Sequence, residues 1–290
     1  MIDLHTHTNA SDGDLTPEML IIRASQLGLR AIAITDHDTL AGIEEAADAG
    51  ERFGVSVIPG VELSVSSDYV PEDSSHWMHM LVYYPPENGH LAREFIAVRK
   101  WRQERNVLIL ERLRDLGLEI SMPDVMAYAK GDVVGRPHFA DALVNKGMVA
   151  HRGEAFYKYL GKGKPAYVER EKLSAQKAIE LALLDGAVPV LAHPESLGLQ
   201  ADELFACLED LKRFGLCGVE ALYPRHDEAF TLMLLEYAER LGLIVTGGSD
   251  FHRPSNQGLK LGRAGQQFRK LPESVLSELA ACRRKLKSAL

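Results

Sequence analysis

Six of the eleven histidines stand beside acids at the ends of short apolar runs. His5-Thr6-His7 ends the first run, with Asp12-Gly13 in the loop beyond it. Asp36-His37-Asp38 ends the second, Glu62 lies just past the third, and His79 starts the fourth. His193-Pro194 ends Val190-Leu191-Ala192, and Ser249-Asp250-Phe251-His252 closes the last run behind Gly247-Gly248. Any one of these histidines alone reads as a hydrogen-bonded surface or half-buried side chain. Nine candidate ligands at successive run ends (His5, His7, Asp12, His37, Glu62, His79, His193, Asp250 and His252) point together to bound metal. Imidazole and carboxylate without thiolate suit Zn²⁺, Mn²⁺ or Fe²⁺ better than an all-oxygen Mg²⁺ or Ca²⁺ cage. Gly247-Gly248 lets the backbone pass close to such a site.

These residues must be brought together by the elements that carry them. Strand candidates are Ile2 to His5, Ala31 to Thr35, Val55 to Pro59, Met78 to Tyr84, Val188 to Ala192, Gly218 to Leu222 and Leu243 to Thr246. Helical patterns alternate with most of them, the rhythm of an α/β fold with a parallel sheet. Thr16-Pro17-Glu18 starts one helix and Gly28 follows it; a second runs from about Leu40 to Phe53 and stops at Gly54; Ser174 caps a third that ends near Gly186. Seven strands suggest a barrel, in which the C-terminal strand ends converge on one rim. The rhythm breaks between residues 91 and 167. A long helical pattern there reaches Gly117, and short pieces follow, separated by Pro123, Gly131-Asp132, Gly135-Arg136-Pro137 and Gly161-Lys162-Gly163-Lys164-Pro165. The expectation is a barrel from residues 1–90 and 168–290 with a helical, substrate-binding insert over 91–167.

At 290 residues, 46% hydrophobic and 26% charged, the chain is neither disordered nor fibrous. A chain this long buries roughly 75% of its unfolded surface, so a bound metal would be functional rather than structural. Cys207, Cys217 and Cys282 form no CxxC pair and read as core thiols of a reducing compartment. Neither a leader nor an apolar run of membrane-spanning length is seen, so the expected location is cytoplasmic. The net charge of −8 argues on its face against nucleic acid. Residues 99 to 170, however, hold 14 Lys and Arg against 9 Asp and Glu, a basic lobe on an acidic body.

In these motifs the sequence resembles the PHP (polymerase and histidinol phosphatase) phosphoesterases: His5-Thr6-His7 with Ser11-Asp12-Gly13, Thr35-Asp36-His37-Asp38-Thr39, Gly60-Val61-Glu62-Leu63-Ser64, His79, Ala192-His193-Pro194 and Ser249-Asp250-Phe251-His252. The resemblance implies a distorted (β/α)7 TIM-like barrel with a trinuclear centre. By position, His5, His7, Glu62 and Asp250 would hold a first ion, with Glu62 bridging to a second held by His79 and His193. Asp12, His37 and His252 would hold the third. Mn²⁺ is the expected ion, and Fe²⁺ or Zn²⁺ would accept the same ligands. Asp12, His37, Glu62, His193 and Asp250 would carry the catalysis.

The insert looks most like that of 3′,5′-nucleoside bisphosphate phosphatases, some of which also act as 5′-to-3′ exoribonucleases on short RNA. The features are Arg102 and Arg105-Asn106, Gly135-Arg136-Pro137-His138 and Leu160 to Tyr167. The expected activity is hydrolysis of the 3′-phosphate of a nucleotide bearing 3′ and 5′ phosphates, with short 5′-phosphorylated RNA as a further substrate. The alternatives are another small phosphomonoester, such as histidinol phosphate, or a non-catalytic accessory metal module. No membrane or obligatory protein partner is expected. Arg136 precedes Pro137 in a turn from which a guanidinium could fork onto phosphate. Arg102 and Arg105 lie one turn apart on a helix whose other face carries Val98, Trp101, Leu108 and Ile109. Lys162 and Lys164 flank Gly163, and Arg225 and His226 follow another strand end. These seven are the candidate substrate-binding residues.

Overall fold

The structure, a computed structural model, describes residues 1–71, 75–129, 133–169, 171–254, 259–265 and 271–290. The Gly131-Asp132 turn expected in the insert lies outside them. Seven strands form a ring in the order β1 (Ile2–Asp3), β2 (Ala31–Ile34), β3 (Ser56–Ser66), β4 (Met78–Tyr83), β6 (Val188–Leu191), β7 (Gly218–Leu222) and β8 (Ile244–Gly247), while the short β5 (Leu173–Ser174) pairs with β3. A bond from Leu4 N–H to the Gly247 carbonyl (3.2 Å) and a parallel bridge between Thr6 and Phe251 bring the last strand back to the first. The fold is a distorted TIM-like barrel.

The sheet is not parallel throughout. β4 runs antiparallel to both β3 and β6. Residues 67–77 are too few for a helical crossover, so the chain folds straight back after β3. The start of β4 therefore meets the rim where the parallel strands end, and this puts His79 there. β3 is also longer than expected. Its first half pairs in parallel with β2 and its second half antiparallel with β4, so Glu62 lies inside the strand and not past it.

Helix boundaries follow local chemistry. In α1 (Pro17–Gln26) the Thr16 side chain accepts from Met19 N–H, and Gly28 turns the chain at φ +72°. α2 (Ile43–Phe53) stops at Gly54, and α7 (Ala175–Leu184) is capped by Ser174. Inside the ring, Ile2, Leu4, Ala33, Ile58, Tyr83 and Val190 pack together with Val275 and Leu279 of α10 (Ser274–Ser288). Strand residues of opposite parity, such as Val61, Met80, Leu191 and Val219, pack outward on α7, α8 (Ala201–Phe214) and α9 (Glu228–Leu241).

Between β4 and β5 lie α3 (His90–Asp115), α4 (Met122–Met126), α5 (Arg136–Asn145), α6 (Arg152–Ala155) and a π-helical turn over Phe156–Leu160. Ile109, Leu113, Phe139, Leu143 and Leu160 form an apolar cluster of their own there. On α3, Val98, Arg102, Arg105, Ile109 and Leu113 share the buried face, and Leu108 points out. The two arginines are thus on the apolar face and not opposite it.

Candidate metal centre

The nine expected ligands meet at one rim. His5 and His7 leave β1 fully buried. Thr6 between them is locked to the neighbouring strand end: its N–H donates to Thr35 Oγ1 (3.1 Å) and its hydroxyl to the Ala33 carbonyl (2.6 Å). A Cβ on Gly248 would lie 2.3 Å from the His5 Cβ, so only glycine lets the Asp250 segment run this close to β1. The Asp36 carboxylate ties down the loop that carries Asp12, accepting from Thr8 N–H (2.8 Å), the Thr8 hydroxyl (2.6 Å) and the Ser11 hydroxyl (2.5 Å), while its backbone carbonyl accepts from Glu62 N–H (3.2 Å).

Glu62 is the hub. Its Oε2 lies 3.3 Å from His5 Nε2, 3.2 Å from His7 Nε2 and 3.1 Å from His37 Nδ1. Its Oε1 lies 2.9 Å from His79 Nδ1 and 2.8 Å from His193 Nε2. Asp250 Oδ1 sits 3.2 Å from His7 Nε2 and 3.4 Å from His252 Nδ1, and Asp12 Oδ1 3.3 Å from His252 Nε2. Three sets of donor atoms lie close enough to share an ion: His5, His7, Glu62 and Asp250; His7, Asp12, His37 and His252; and His37, Glu62 and His79. His193 adjoins the third through Glu62. Five buried donor atoms in this cluster have no hydrogen-bond partner, namely His5 Nε2, His7 Nδ1 and Nε2, Asp12 Oδ1 and His37 Nδ1. Buried polar atoms are rarely left so, and divalent ions would satisfy them.

Burial opposes charge on every member of the cluster, and neighbours decide the outcome. At Glu62 the charges of His37, His5 and His79 overcome burial and hold the carboxyl well below its ordinary range. Burial also works against protonated His7, yet the Asp250 and Glu62 carboxylates beside its ring raise it to about 10. At His37 burial wins, helped by the charges of His7 and His79, and lowers it to about 3. Backbone strain gathers here too. Asp38, His193 and Asp250 have positive φ without being glycine, at +52°, +23° and +51°.

A cavity of about 790 Å³ opens above the cluster. Asp12, Glu62, His193 and Asp250 of the cluster line it, together with Arg102, Arg105, Arg136 and Lys162. Arg102 pairs with Asp38. Arg105 donates to Asn106 Oδ1 (2.8 Å), and Asn106 in turn donates to the Val134 carbonyl (3.1 Å). Arg136 donates to the Leu160 carbonyl (3.3 Å) and lies 4.9 Å over the Tyr167 ring. Lys162 reaches the Pro71 carbonyl (3.4 Å), and Arg225 borders the cavity. Lys164 and His226 are not among the lining residues. The Lys164 ammonium lies 5.0 Å over Tyr157. His226 is buried behind Tyr223, donating from Nδ1 to the Ala221 carbonyl (3.0 Å), because the turn after β7 folds its ring inward against Phe230.

Two side chains at the site escape the sequence reading. Tyr223 donates to Asp250 Oδ2 (2.9 Å), and Glu220 accepts from His5 Nδ1 (3.0 Å). The one signal for Glu220 is an acid inside the apolar run Gly218 to Leu222.

A barrel with clustered imidazoles and carboxylates on its rim defines a metal-dependent hydrolase. The sequence matches the PHP domain model over residues 3–143. It is 32% identical over 263 residues to a 3′,5′-nucleoside bisphosphate phosphatase of Chromobacterium violaceum, covering 90% of each chain. It is 34% identical over 264 residues to a 5′-3′ exoribonuclease of Escherichia coli, covering 90% of this chain and 88% of that one. A phosphoribosyl 1,2-cyclic phosphate 1,2-diphosphodiesterase of Eggerthella lenta is 31% identical over 253 residues, covering 86% of this chain and 93% of that one. The crystal structure of a metal-dependent phosphoesterase from Bifidobacterium adolescentis superposes with a TM-score of 0.84 at 32% identity, over 97% of this chain and 96% of that one. The chain belongs to the PHP family of metal-dependent phosphoesterases. No helix among the described residues is long and apolar enough to cross a membrane.

Proposed function

We propose that the protein hydrolyses the 3′-phosphate of nucleoside 3′,5′-bisphosphates at a centre of three divalent ions, with Mn²⁺ the preferred metal. The observation that carries this reading is that the ligand cluster and the guanidiniums of Arg105 and Arg136 line one and the same cavity. One phosphate can meet the cluster while a second meets the guanidiniums. The relative named as a nucleoside bisphosphate phosphatase supports the same substrate class.

When bound, the ions supply Lewis acidity and neutralise phosphoryl charge. His5, His7, Glu62 and Asp250 hold one ion, Glu62, His79 and His193 a second, and Asp12, His37 and His252 a third. Tyr223 keeps Asp250 oriented through its outer oxygen. In the same cavity, Arg136 donates to the Leu160 carbonyl and lies over the Tyr167 ring, with the Glu169 carboxylate as its nearby opposing charge. Burial, reinforced by the like charge of Arg102, depresses its pKa, a cost that a bound phosphate offsets. Arg102 is already neutralised by Asp38 and serves to fix α3 against the rim. The segment 91–167 is in this reading the substrate-binding insert.

Phosphate release from 3′-phosphoadenosine 5′-phosphate with added Mn²⁺ tests the assignment against histidinol phosphate and short 5′-phosphorylated RNA. Preference for the bisphosphate is expected. A preference for histidinol phosphate would refute the substrate, and absence of turnover with metal bound would favour an accessory role. The relative named as an exoribonuclease supports a second reading, in which 5′-phosphorylated RNA enters the same cavity and is trimmed from that end.

A further inference from the structure

Strand β7 contributes a carboxylate outside the proposed ligand set. Glu220 is fully buried, at a point where the β7–β8 register shifts between Glu220 and Leu222. Irregularities of this kind re-aim side chains next to active sites. Both carboxylate oxygens are engaged. Oε1 accepts from His5 Nδ1–H at 3.0 Å, with Oε2 3.2 Å from the same nitrogen, and Oε2 accepts from the backbone N–H of His193 at 2.8 Å.

We propose that Glu220 is a positioning residue that couples two ion subsites, fixing the His5 tautomer with one oxygen and the His193 backbone with the other. The proposal rests on the metal-centre reading above. An imidazole offers a lone pair to a metal from one nitrogen only when the proton resides on the other. An anionic acceptor at Nδ1 keeps the proton there and leaves Nε2 aimed at Glu62 and Asp250, from which it lies 3.3 Å and 3.5 Å. That Nε2 is one of the buried atoms lacking a hydrogen-bond partner. His193 is the residue with the least ordinary backbone at the rim, at φ +23° and ψ +68°, and its ring reaches Glu62 Oε1 from that conformation. A charge-assisted bond on its N–H holds the backbone where the ring can do so. His5 belongs to the set of His5, His7, Glu62 and Asp250, and His193 adjoins the set of His37, Glu62 and His79, so a change at Glu220 is felt at both.

Glu220→Gln in the full chain is the direct test. Glutamine has one acceptor and one donor group in place of two acceptors. Either its NH₂ opposes the His193 N–H, or it opposes His5 Nδ1 and pushes the proton onto Nε2, where an ion must bind. Mn²⁺ affinity, read by competition with a chelating dye, is expected to fall about 10- to 100-fold. At saturating Mn²⁺ the substrate KM should stay near the wild-type value. A folded variant with wild-type Mn²⁺ affinity would overturn the proposal, while wild-type protein that binds no Mn²⁺ would overturn the metal-centre reading itself. Should the variant fail to fold, imidazole nitrogen NMR of the Zn²⁺-loaded wild-type protein decides the matter. His5 is expected to carry its proton on Nδ1 and the metal on Nε2, and the reverse assignment refutes the role given to Glu220.

Discussion

Arg136→Ala separates recognition of the remote phosphate from chemistry at the metal cluster. The guanidinium donates to the Leu160 carbonyl, lies over the Tyr167 ring and lines the same cavity as Glu62. Removing it deletes one charge-assisted contact to a bound phosphate, worth about 1.5–3 kcal/mol. That range corresponds to a fall in kcat/KM of about 10- to 150-fold. The loss should appear for 3′-phosphoadenosine 5′-phosphate and be nearly absent for adenosine 3′-phosphate, which has no second phosphate to lose. It should also lie mainly in KM, because the contact is equally present in ground and transition states. Initial rates of phosphate release on both substrates, at saturating Mn²⁺, measure the difference. Arg136→Lys serves as control, since it restores charge without the planar fork and should recover only part of the loss. Equal losses on the two substrates would refute the assignment of Arg136 to the remote phosphate.

Glu62→Gln should abolish most of the stabilisation that Mn²⁺ confers. A single ion at a thousandfold its Kd adds about 4 kcal/mol, or roughly 7 °C in Tm for a chain of this size, and a variant retaining that shift would contradict the hub role. Metal loading at pH 7.5 should release protons, because the carboxylates raise His7 to about 10 and also raise His5 and His193, and these rings must deprotonate to bind. The release should shrink as pH rises toward 10 and metal affinity should weaken as pH falls; calorimetric heats that do not vary with buffer ionisation enthalpy would count against this. Gly248→Ala places a methyl 2.3 Å from the His5 Cβ. It should cost about 1–3 kcal/mol in chemical denaturation and weaken Mn²⁺ binding, whereas unchanged affinity would mean that the His5 position tolerates displacement.

The ligand cluster was legible because most members stand at or just beyond the end of a short apolar run, and barrel topology gathers such ends on one rim; Glu62, inside β3, and His79, at the start of β4, join them because β4 runs the other way. Strand direction was less legible. Alternation along Met78–Tyr83 reads the same in either orientation, and only the brevity of residues 67–77 reveals that β4 turns back. The same ambiguity hid the length of β3, whose two halves pair with different partners in opposite senses. Arg102 and Arg105 read as the polar face of α3 because charge is ordinarily outside. The spacing 98, 102, 105, 109 and 113 nevertheless traces a single helical stripe, and all five residues are buried on it. Residues that act through others, Asp36, Glu220 and Tyr223, leave little trace in a sequence. Their importance lies in which backbone groups and ring nitrogens they meet, and this is set only when strands distant in the chain come together.

Net charge gave the opposite impression from the site. The chain carries −8, and three acids, Asp12, Glu62 and Asp250, sit among the candidate ligands. Each of those acids is matched by imidazoles that the cluster partly protonates, and three divalent ions would add about +6 in the same small volume. Arg102 is cancelled by Asp38, whereas Arg136 has the Leu160 carbonyl and the Tyr167 ring as its direct partners and Glu169 as the nearby opposing charge. The cluster and the arginines of the insert therefore line one cavity, while the acidic excess lies in the chain outside residues 99 to 170. A doubly phosphorylated ligand is attracted by that local arrangement whatever the sign of the whole. Raising ionic strength should accordingly weaken capture of a bisphosphate more than that of a monophosphate, since the arginines of the insert meet a second phosphate only in the former.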